Sequence, residues 1–430
     1  MKTIKFPEVS QWSVLSKRPS LTESEVNKTV SSILQDVLNE GDVALLELTE
    51  TLDKCKLSNL QVSRKEFLAA KNKISQKLKT AIQTAFNNIE KFHLSQREVP
   101  QRIETTKGVF CWRKSIPIER VGLYIPGGLA PLFSTLLMLG IPAKIAGCKS
   151  IAICTPPNKK GDIDPAILYV ASLLGIDEIY KVGGAQAIAS LAYGTKTIQK
   201  VNKIFGPGNQ FVTKAKEIVS SEGTAIDMPA GASEVLIIAD EEANPEFIAA
   251  DLLSQAEHGI DSQVVFVTDN INIINCVKHN ISKQLLTLPR RDIITKALES
   301  TLFILFKSIE ECFAFSNQYA PEHLIIALES YEKYVDMITN AGSVFLGQYA
   351  CESAGDYASG TNHTLPTNAH AKSYSGVSLD SFMKKITFQT ITIEGIQNLG
   401  PTIEILAEAE KLIAHKNAVT IRLNTINNEK

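Results

Sequence analysis

The 430-residue sequence is short of the features that mark many specialised proteins. It has no charge excess: 44 Lys and Arg stand against 46 Asp and Glu, a formal net charge of -2. A nucleic-acid or anionic-membrane partner calls for a basic surplus, so neither is expected and a small-molecule partner is. No run reaches the roughly 18 uncharged apolar residues of a membrane span. The best candidate, 130–143, is too short, holds Pro131 and Pro142, and runs into Lys144. Residues 1–10 contain neither an apolar stretch nor a small-residue cleavage site, so no secretory signal is expected. Cysteine is sparse, with seven scattered residues (55, 111, 148, 154, 276, 312 and 351) and no Cys-x-x-Cys. That pattern excludes a disulfide framework and a thiolate zinc cluster, and it suits the reducing cytoplasm. The Gly-x-Gly-x-x-Gly dinucleotide fingerprint and the His-Glu-x-x-His zinc-protease signature are also missing.

What is present is an ordinary globular composition, 44% hydrophobic and 21% charged, with length enough for two or more domains. The first hundred residues read as helical. Thr22-x-x-Glu25 and Ser63-x-x-Glu66 are capping boxes, and Gly41 suits a helix stop. Beyond Arg120, short Val/Ile/Ala runs at 150–155, 178–182, 201–205, 234–239, 263–268, 301–306 and 324–328 alternate with helical stretches. The helical stretches are 164–174, 185–193, 210–220, 244–257 and 271–288. Such alternation predicts an α/β fold with buried parallel sheet. The strands fall on either side of the turn-rich segment 227–233, which divides the chain into two Rossmann-like α/β domains. The expected organisation is a helical N-terminal region at 1–115, α/β domains at 116–232 and 233–375, and a C-terminal helical tail at 376–430.

Parallel α/β sheets bind ligands beyond the carboxyl ends of their strands, and three strand-to-helix turns there are glycine-rich. They are Tyr124-Ile-Pro-Gly-Gly128, Val182-Gly-Gly-Ala-Gln186 and Phe205-Gly-Pro-Gly-Asn209. Glycines let backbone approach a ligand, and helix starts favour phosphate, although tight turns alone use the same residues. Tyr124, Gln186 and Asn209 at the tips could bind the ribose, amide or phosphate of a nucleotide.

Polar clusters follow in the second half. Gln255 and His258 in 251–259 share one helical face near a carbonyl end that favours a cation, with Gly259 as the expected cap. Glu322-His323, just before an apolar strand, is an acid/base pair in form, since two different groups can serve two protons. Asp356 lies in the Gly/Ser-rich stretch 352–363, where it could face a metal or cap backbone. Glu410 and His415 sit five apart on the tail, roughly 140° apart around a helix, which does not by itself bring both to one small site.

Taken in order, these strings resemble the histidinol dehydrogenase family from about residue 117 to 419. The matching segments are 119–128, 183–189, 204–209, 226–231, 251–258, 320–323 and 414–419. The resemblance implies NAD contacts at Tyr124, Gln186 and Asn209, and zinc ligands Gln255, His258, Asp356 and His415, one ion per site. It adds Ser233, His323 and Glu410 to those ligands around the substrate, and makes Glu322 and His323 the acid/base pair. It also implies a domain-swapped homodimer with shared active sites, the Glu410/His415 segment entering the neighbouring subunit. The implied reaction is the four-electron oxidation of L-histidinol through L-histidinal to L-histidine, the last step of histidine biosynthesis. The rivals are a cysteine-dependent aldehyde dehydrogenase acting on another amino alcohol or aldehyde through Cys111, Cys148 or Cys154, a zinc hydrolase without nicotinamide, and a non-catalytic nucleotide-binding module.

Overall fold

The computed structural model describes residues 1–18, 23–127, 131–229 and 231–428. Thr22 of the first capping box, Gly128 of the first glycine turn and Ala230 of the 227–233 segment lie outside them. The chain opens with β1 (Lys2–Lys5), α1 (Val9–Leu15), α2 (Glu23–Glu40), α3 (Asp42–Leu52), α4 (Arg64–Lys73) and α5 (Gln76–Leu94). The capping box at Ser63 and Glu66 starts α4, with both reciprocal bonds in place. Gly41, at φ 57, breaks α2 from α3 in the left-handed region that glycine tolerates best.

After β2 (Arg102–Thr106) and β3 (Val109–Pro117), the expected alternation sets in. β4 (Arg120–Tyr124), α6 (Phe133–Ala146), β5 (Ser150–Cys154), α7 (Pro165–Leu174), β6 (Ile179–Tyr180), α8 (Gly184–Tyr193), β7 (Lys203–Phe205), α9 (Gln210–Ser221) and β8 (Ala225–Ile226) build a parallel sheet of order β6-β5-β4-β7-β8. Its middle strands are buried on both faces, as their continuous apolar runs require. Helices α2, α4 and α5 pack over α8, α7 and α6 of this layer.

A second parallel sheet follows, made by β9 (Glu234–Ala239), α10 (Pro245–Ala256), β10 (Gln263–Thr268), α11 (Ile271–Leu285), α12 (Arg291–Glu299), β11 (Leu302–Leu305), α13 (Ile309–Tyr319), β12 (His323–Ala327) and β13 (Ser343–Leu346). Its order is β1-β11-β10-β9-β12-β13. The opening residues therefore do not belong to a helical N-terminal region. β1 pairs with β11 of this second sheet, and Trp12 of α1 packs edge-on against Phe306 and Phe315 in its core. The remainder is α14 (Glu352–Tyr357), β14 (Met383–Ile391), α15 (Ile393–Ala409) and α16 (Ile413–Asn428). The tail is thus not wholly helical, because β14 runs antiparallel along β3, which also pairs with β2. No helix among the described residues is long and apolar enough to cross a membrane.

Candidate active site

The three glycine turns do open at the carboxyl ends of the first sheet, and they meet. Tyr124, Gln186 and Asn209 line one cavity of about 1080 Å³, just above the roughly 300–1,000 Å³ of ordinary small-molecule sites and roomy enough for a cofactor. Tyr124 ends β4 and is buried. Its hydroxyl accepts a hydrogen bond from the Gly184 N–H at 3.1 Å, and burial pushes its pKa up to about 12, so it stays a neutral phenol. Asn209 is the N-cap of α9, its side-chain oxygen accepting from the N–H groups of Phe211 and Val212 at 3.1 Å each. The oxygen is committed to the helix, so its amide NH2 is what it can offer a ligand. Gln186 is fully buried in α8, and its Oε1 has no hydrogen-bond partner among the described residues. Such an atom costs free energy unless a ligand satisfies it, which fits a bound dinucleotide. The turn before Asn209 is held from below: the Gly206 N–H donates to Asp227 Oδ2 at 2.8 Å, and Asp227 pairs with the buried Lys216 at 2.5 Å.

The second cluster forms at the opposite ends of the other sheet. His323 is the first residue of β12 and lies in register with Val235 of β9, so the acid/base pair sits at the amino end of its strands. Helix α10 runs back from the carboxyl end of β9 and delivers Gln255 and His258 to that same end. It ends at Glu257 in an ordinary right-handed conformation, so Gly259 is not its cap. His258, Glu352 and Asp356 bring one ligand atom each to within 4.8 Å of one another. Glu352 and Asp356 lie four apart on α14, the spacing that puts two side chains on one helical face. Glu352 opens the 352–363 stretch, and no motif in the sequence gives it a role. Gly355 lets α14 press against Phe345 of β13, since a Cβ there would stand 2.7 Å from the ring.

The chemistry of this cluster calls for a cation. Gln255 is fully buried, and neither its Oε1 nor its Nε2 has a hydrogen-bond partner among the described residues. Burial, reinforced by Asp356 and Glu322, raises the Glu352 pKa well above the usual carboxylate range, and its Oε2 is unpartnered too. Burial opposes ionisation of Asp356 as well, but the neighbouring His323, His363 and His258 hold its pKa below the usual value. Oxygen and imidazole donors gathered within one cluster suit zinc.

His323 faces the same cluster. Its Nδ1 lies 3.2 Å from the Glu234 carbonyl oxygen and 3.6 Å from Glu322 Oε2, and its Nε2 lies 3.5 Å from Asp356 Oδ1. Burial disfavours its charge, but Glu322, Glu352 and Asp356 prevail and raise its pKa to about 10. A proton-accepting imidazole therefore needs a cation beside Asp356 to balance those carboxylates. Glu322 accepts the Glu234 N–H at 2.8 Å, and burial pushes its pKa up to about 8. His363, also without an assigned role in the sequence, bridges the two halves: its Nδ1 meets the Asp356 carbonyl at 2.8 Å and its Nε2 the Thr135 hydroxyl of α6 at 3.2 Å.

Three other candidates stand apart. Ser233 is half-buried, just before β9. Glu410 and His415 are exposed at the join of α15 and α16, and within one chain they do not enter the cluster. The cysteine nucleophile loses ground: burial raises the Cys148 thiol to about 11 and the Cys154 thiol to about 12, far from thiolates at neutral pH.

Comparison with known proteins gives a consistent answer. The profile of the family described as "Histidinol dehydrogenase" matches residues 16–423. The chain is 56% identical to the histidinol dehydrogenase of Bacteroides thetaiotaomicron over 99% of its own length and 100% of that protein's. With the Vibrio parahaemolyticus enzyme of the same name it shares 51%, over 99% of each. The crystal structure of histidinol dehydrogenase from Elizabethkingia anophelis superposes with a TM-score of 0.97 at 58% identity, covering 99% of both chains.

Proposed function

The chain belongs to the histidinol dehydrogenase family, and from that membership we propose that it oxidises L-histidinol through L-histidinal to L-histidine at the cluster around Asp356. It is an oxidoreductase of histidine biosynthesis, in a family that is NAD-dependent and uses zinc. The observation that carries the reading is the convergence of His258, Glu352 and Asp356 within 4.8 Å, with His323 at 3.5 Å from Asp356.

In this reading Gln255, His258 and Asp356 hold one zinc ion with the partner subunit's His415, and Tyr124, Gln186 and Asn209 hold NAD. Ser233 and the partner subunit's Glu410 join His323 and the metal ligands around the substrate. A homodimer with shared sites also accounts for the tail's surface. Ile393, Ile405, Leu406, Ile413 and Ile421 are each more than half exposed along α15 and α16, and a second copy of the chain would cover them. The free thiols accord with a cytoplasmic setting.

NAD held by Tyr124, Gln186 and Asn209 would supply the hydride acceptor for the two oxidations, and zinc held by Gln255, His258 and Asp356 would supply a Lewis acid that orients the substrate. His323 accepts the alcohol proton at Nε2, because its Nδ1 proton is donated to the Glu234 carbonyl. Glu322 takes a proton from the water that attacks the aldehyde, and His323, once it has released the alcohol proton to solvent, accepts one from the resulting diol. The expected result in an assay is two NADH formed per histidinol consumed, with turnover lost on chelation and restored by zinc. A ratio of one would make the protein a simple alcohol dehydrogenase, and turnover indifferent to chelation would remove the metal from the account.

A further inference from the structure

The cavity beyond the first sheet holds more unsatisfied chemistry than the glycine turns supply. Besides Gln186 Oε1, two of its lining residues carry a buried polar atom with no hydrogen-bond partner among the described residues, namely Asp53 Oδ2 and Thr155 Oγ1. Gln186 Oε1 and Asp53 Oδ2 can only accept, while the Thr155 hydroxyl can donate or accept, so the ligand that satisfies them must bring at least two donors. Asp53 is the C-cap of α3, a helix from outside the sheet, and no salt bridge reaches it among the described residues. Burial alone holds its pKa at about 6, so at neutral pH it is a carboxylate in want of a partner.

Which part of a dinucleotide comes here follows from what does not line the cavity. Gln255, His258, His323 and Asp356 are all absent from its wall. The nicotinamide has to reach the substrate beside His323, so the cavity takes the other half. Pro156 and Pro157 lend that half an apolar wall, and the turns close tightly on it: a Cβ on Gly183 would stand 2.6 Å from the Pro156 Cβ.

We propose that Asp53 accepts hydrogen bonds from the ribose diol of the adenosine half and so sets the preference for NAD over its 2'-phosphorylated form. A half-buried carboxylate whose Oδ2 is shielded and unpartnered favours two hydroxyl donors and disfavours a phosphate put in place of one of them. The role is the one an acidic residue plays in ordinary dinucleotide folds, here supplied from a different part of the chain. The inference rests on the cofactor reading above, and it can fail separately from it.

The test uses calorimetric binding of ADP-ribose and of 2'-phospho-ADP-ribose to the zinc-loaded protein, with no turnover needed. The wild type is expected to bind ADP-ribose and to discriminate strongly against the phosphorylated form. Asp53→Asn and Asp53→Ser are expected to weaken ADP-ribose by about tenfold or more and to narrow the discrimination by at least as much. In turnover, the KM for NAD should rise more than kcat falls. The two variants guard against a folding artefact, which circular dichroism checks. An ADP-ribose preference unchanged in both variants would overturn the role of Asp53, whatever happened to overall affinity. A wild type that bound neither ligand would overturn the cofactor reading itself.

Discussion

The carbonyl oxygen of Glu234 lies 3.2 Å from Nδ1 of His323, and the N–H of the same residue donates to Glu322 Oε2 at 2.8 Å. One backbone residue thus holds both members of the proposed acid/base pair. Its own side chain is fully buried and neutralised by Arg18, whose Nε and Nη2 reach the two carboxylate oxygens at 3.0 and 2.7 Å. Arg18 also stacks over the Tyr319 ring at 3.6 Å and donates to the Tyr319 carbonyl at the end of α13. Replacing Arg18 by Met leaves the buried Glu234 carboxylate without its counter-ion, held only by the Asn368 N–H. The expected cost is about 3–5 kcal/mol of stability, read by urea unfolding, together with a loss of kcat as the pair loses its support. An unchanged unfolding midpoint would show that Arg18 does not hold this charge.

The two oxidations should separate by mutation. His323→Asn is expected to slow turnover from both histidinol and histidinal by about a hundredfold or more. Glu322→Gln should slow mainly the step from histidinal, because only that step needs a proton taken from water. Equal losses in both assays for both variants would refute the division of labour.

The pH dependence carries the same signature. In the proposed mechanism Glu322 serves as a base in its ionised form, and burial pushes its pKa up to about 8. A cation beside Asp356 pulls in the direction of ionisation, so the rate of histidinal oxidation should rise with pH along a limb at or below that value. The limb should vanish in Glu322→Gln. The sign for stability is opposite: a carboxyl raised above its unfolded pKa stabilises the fold while protonated, and this is lost as pH rises through about 8.

Glu352 is the residue of the cluster without an assigned role, and its buried carboxyl stands within 4.8 Å of both His258 and Asp356. Glu352→Gln is therefore expected to weaken zinc binding by about 10–100-fold, measured by competition with a chromogenic chelator. Retained wild-type affinity would assign Glu352 to substrate or proton handling.

How much the sequence disclosed follows from how each element is buried. Strands β5, β9, β10 and β12 are continuous apolar runs hidden on both faces, so they stand out from the sequence within a residue or two of their ends. β1 escaped because its ends are lysines, and β14 because its half-exposed residues give no apolar run. The glycine turns announced themselves, and Tyr124, Gln186 and Asn209 do share a cavity. The cavity lined by the glycine turns lies at the carboxyl ends of the first sheet, whereas the cluster at His323 lies at the amino ends of the second. Glu352 could have been found from its spacing to Asp356. Asp53 could not, since a lone carboxylate after a helix has no local pattern. Glu410 and His415 face solvent within one chain, so in the proposed site only a second chain would give them a role.

The most direct test of the shared zinc site is complementation between two inactive variants, His258→Ala and His415→Ala, co-expressed so that mixed dimers form. If each site draws His258 from one chain and His415 from the other, every mixed dimer holds one intact site, and the mixture should recover roughly a quarter of wild-type turnover. A mixture that forms dimers yet stays as inactive as either parent would contradict the shared site.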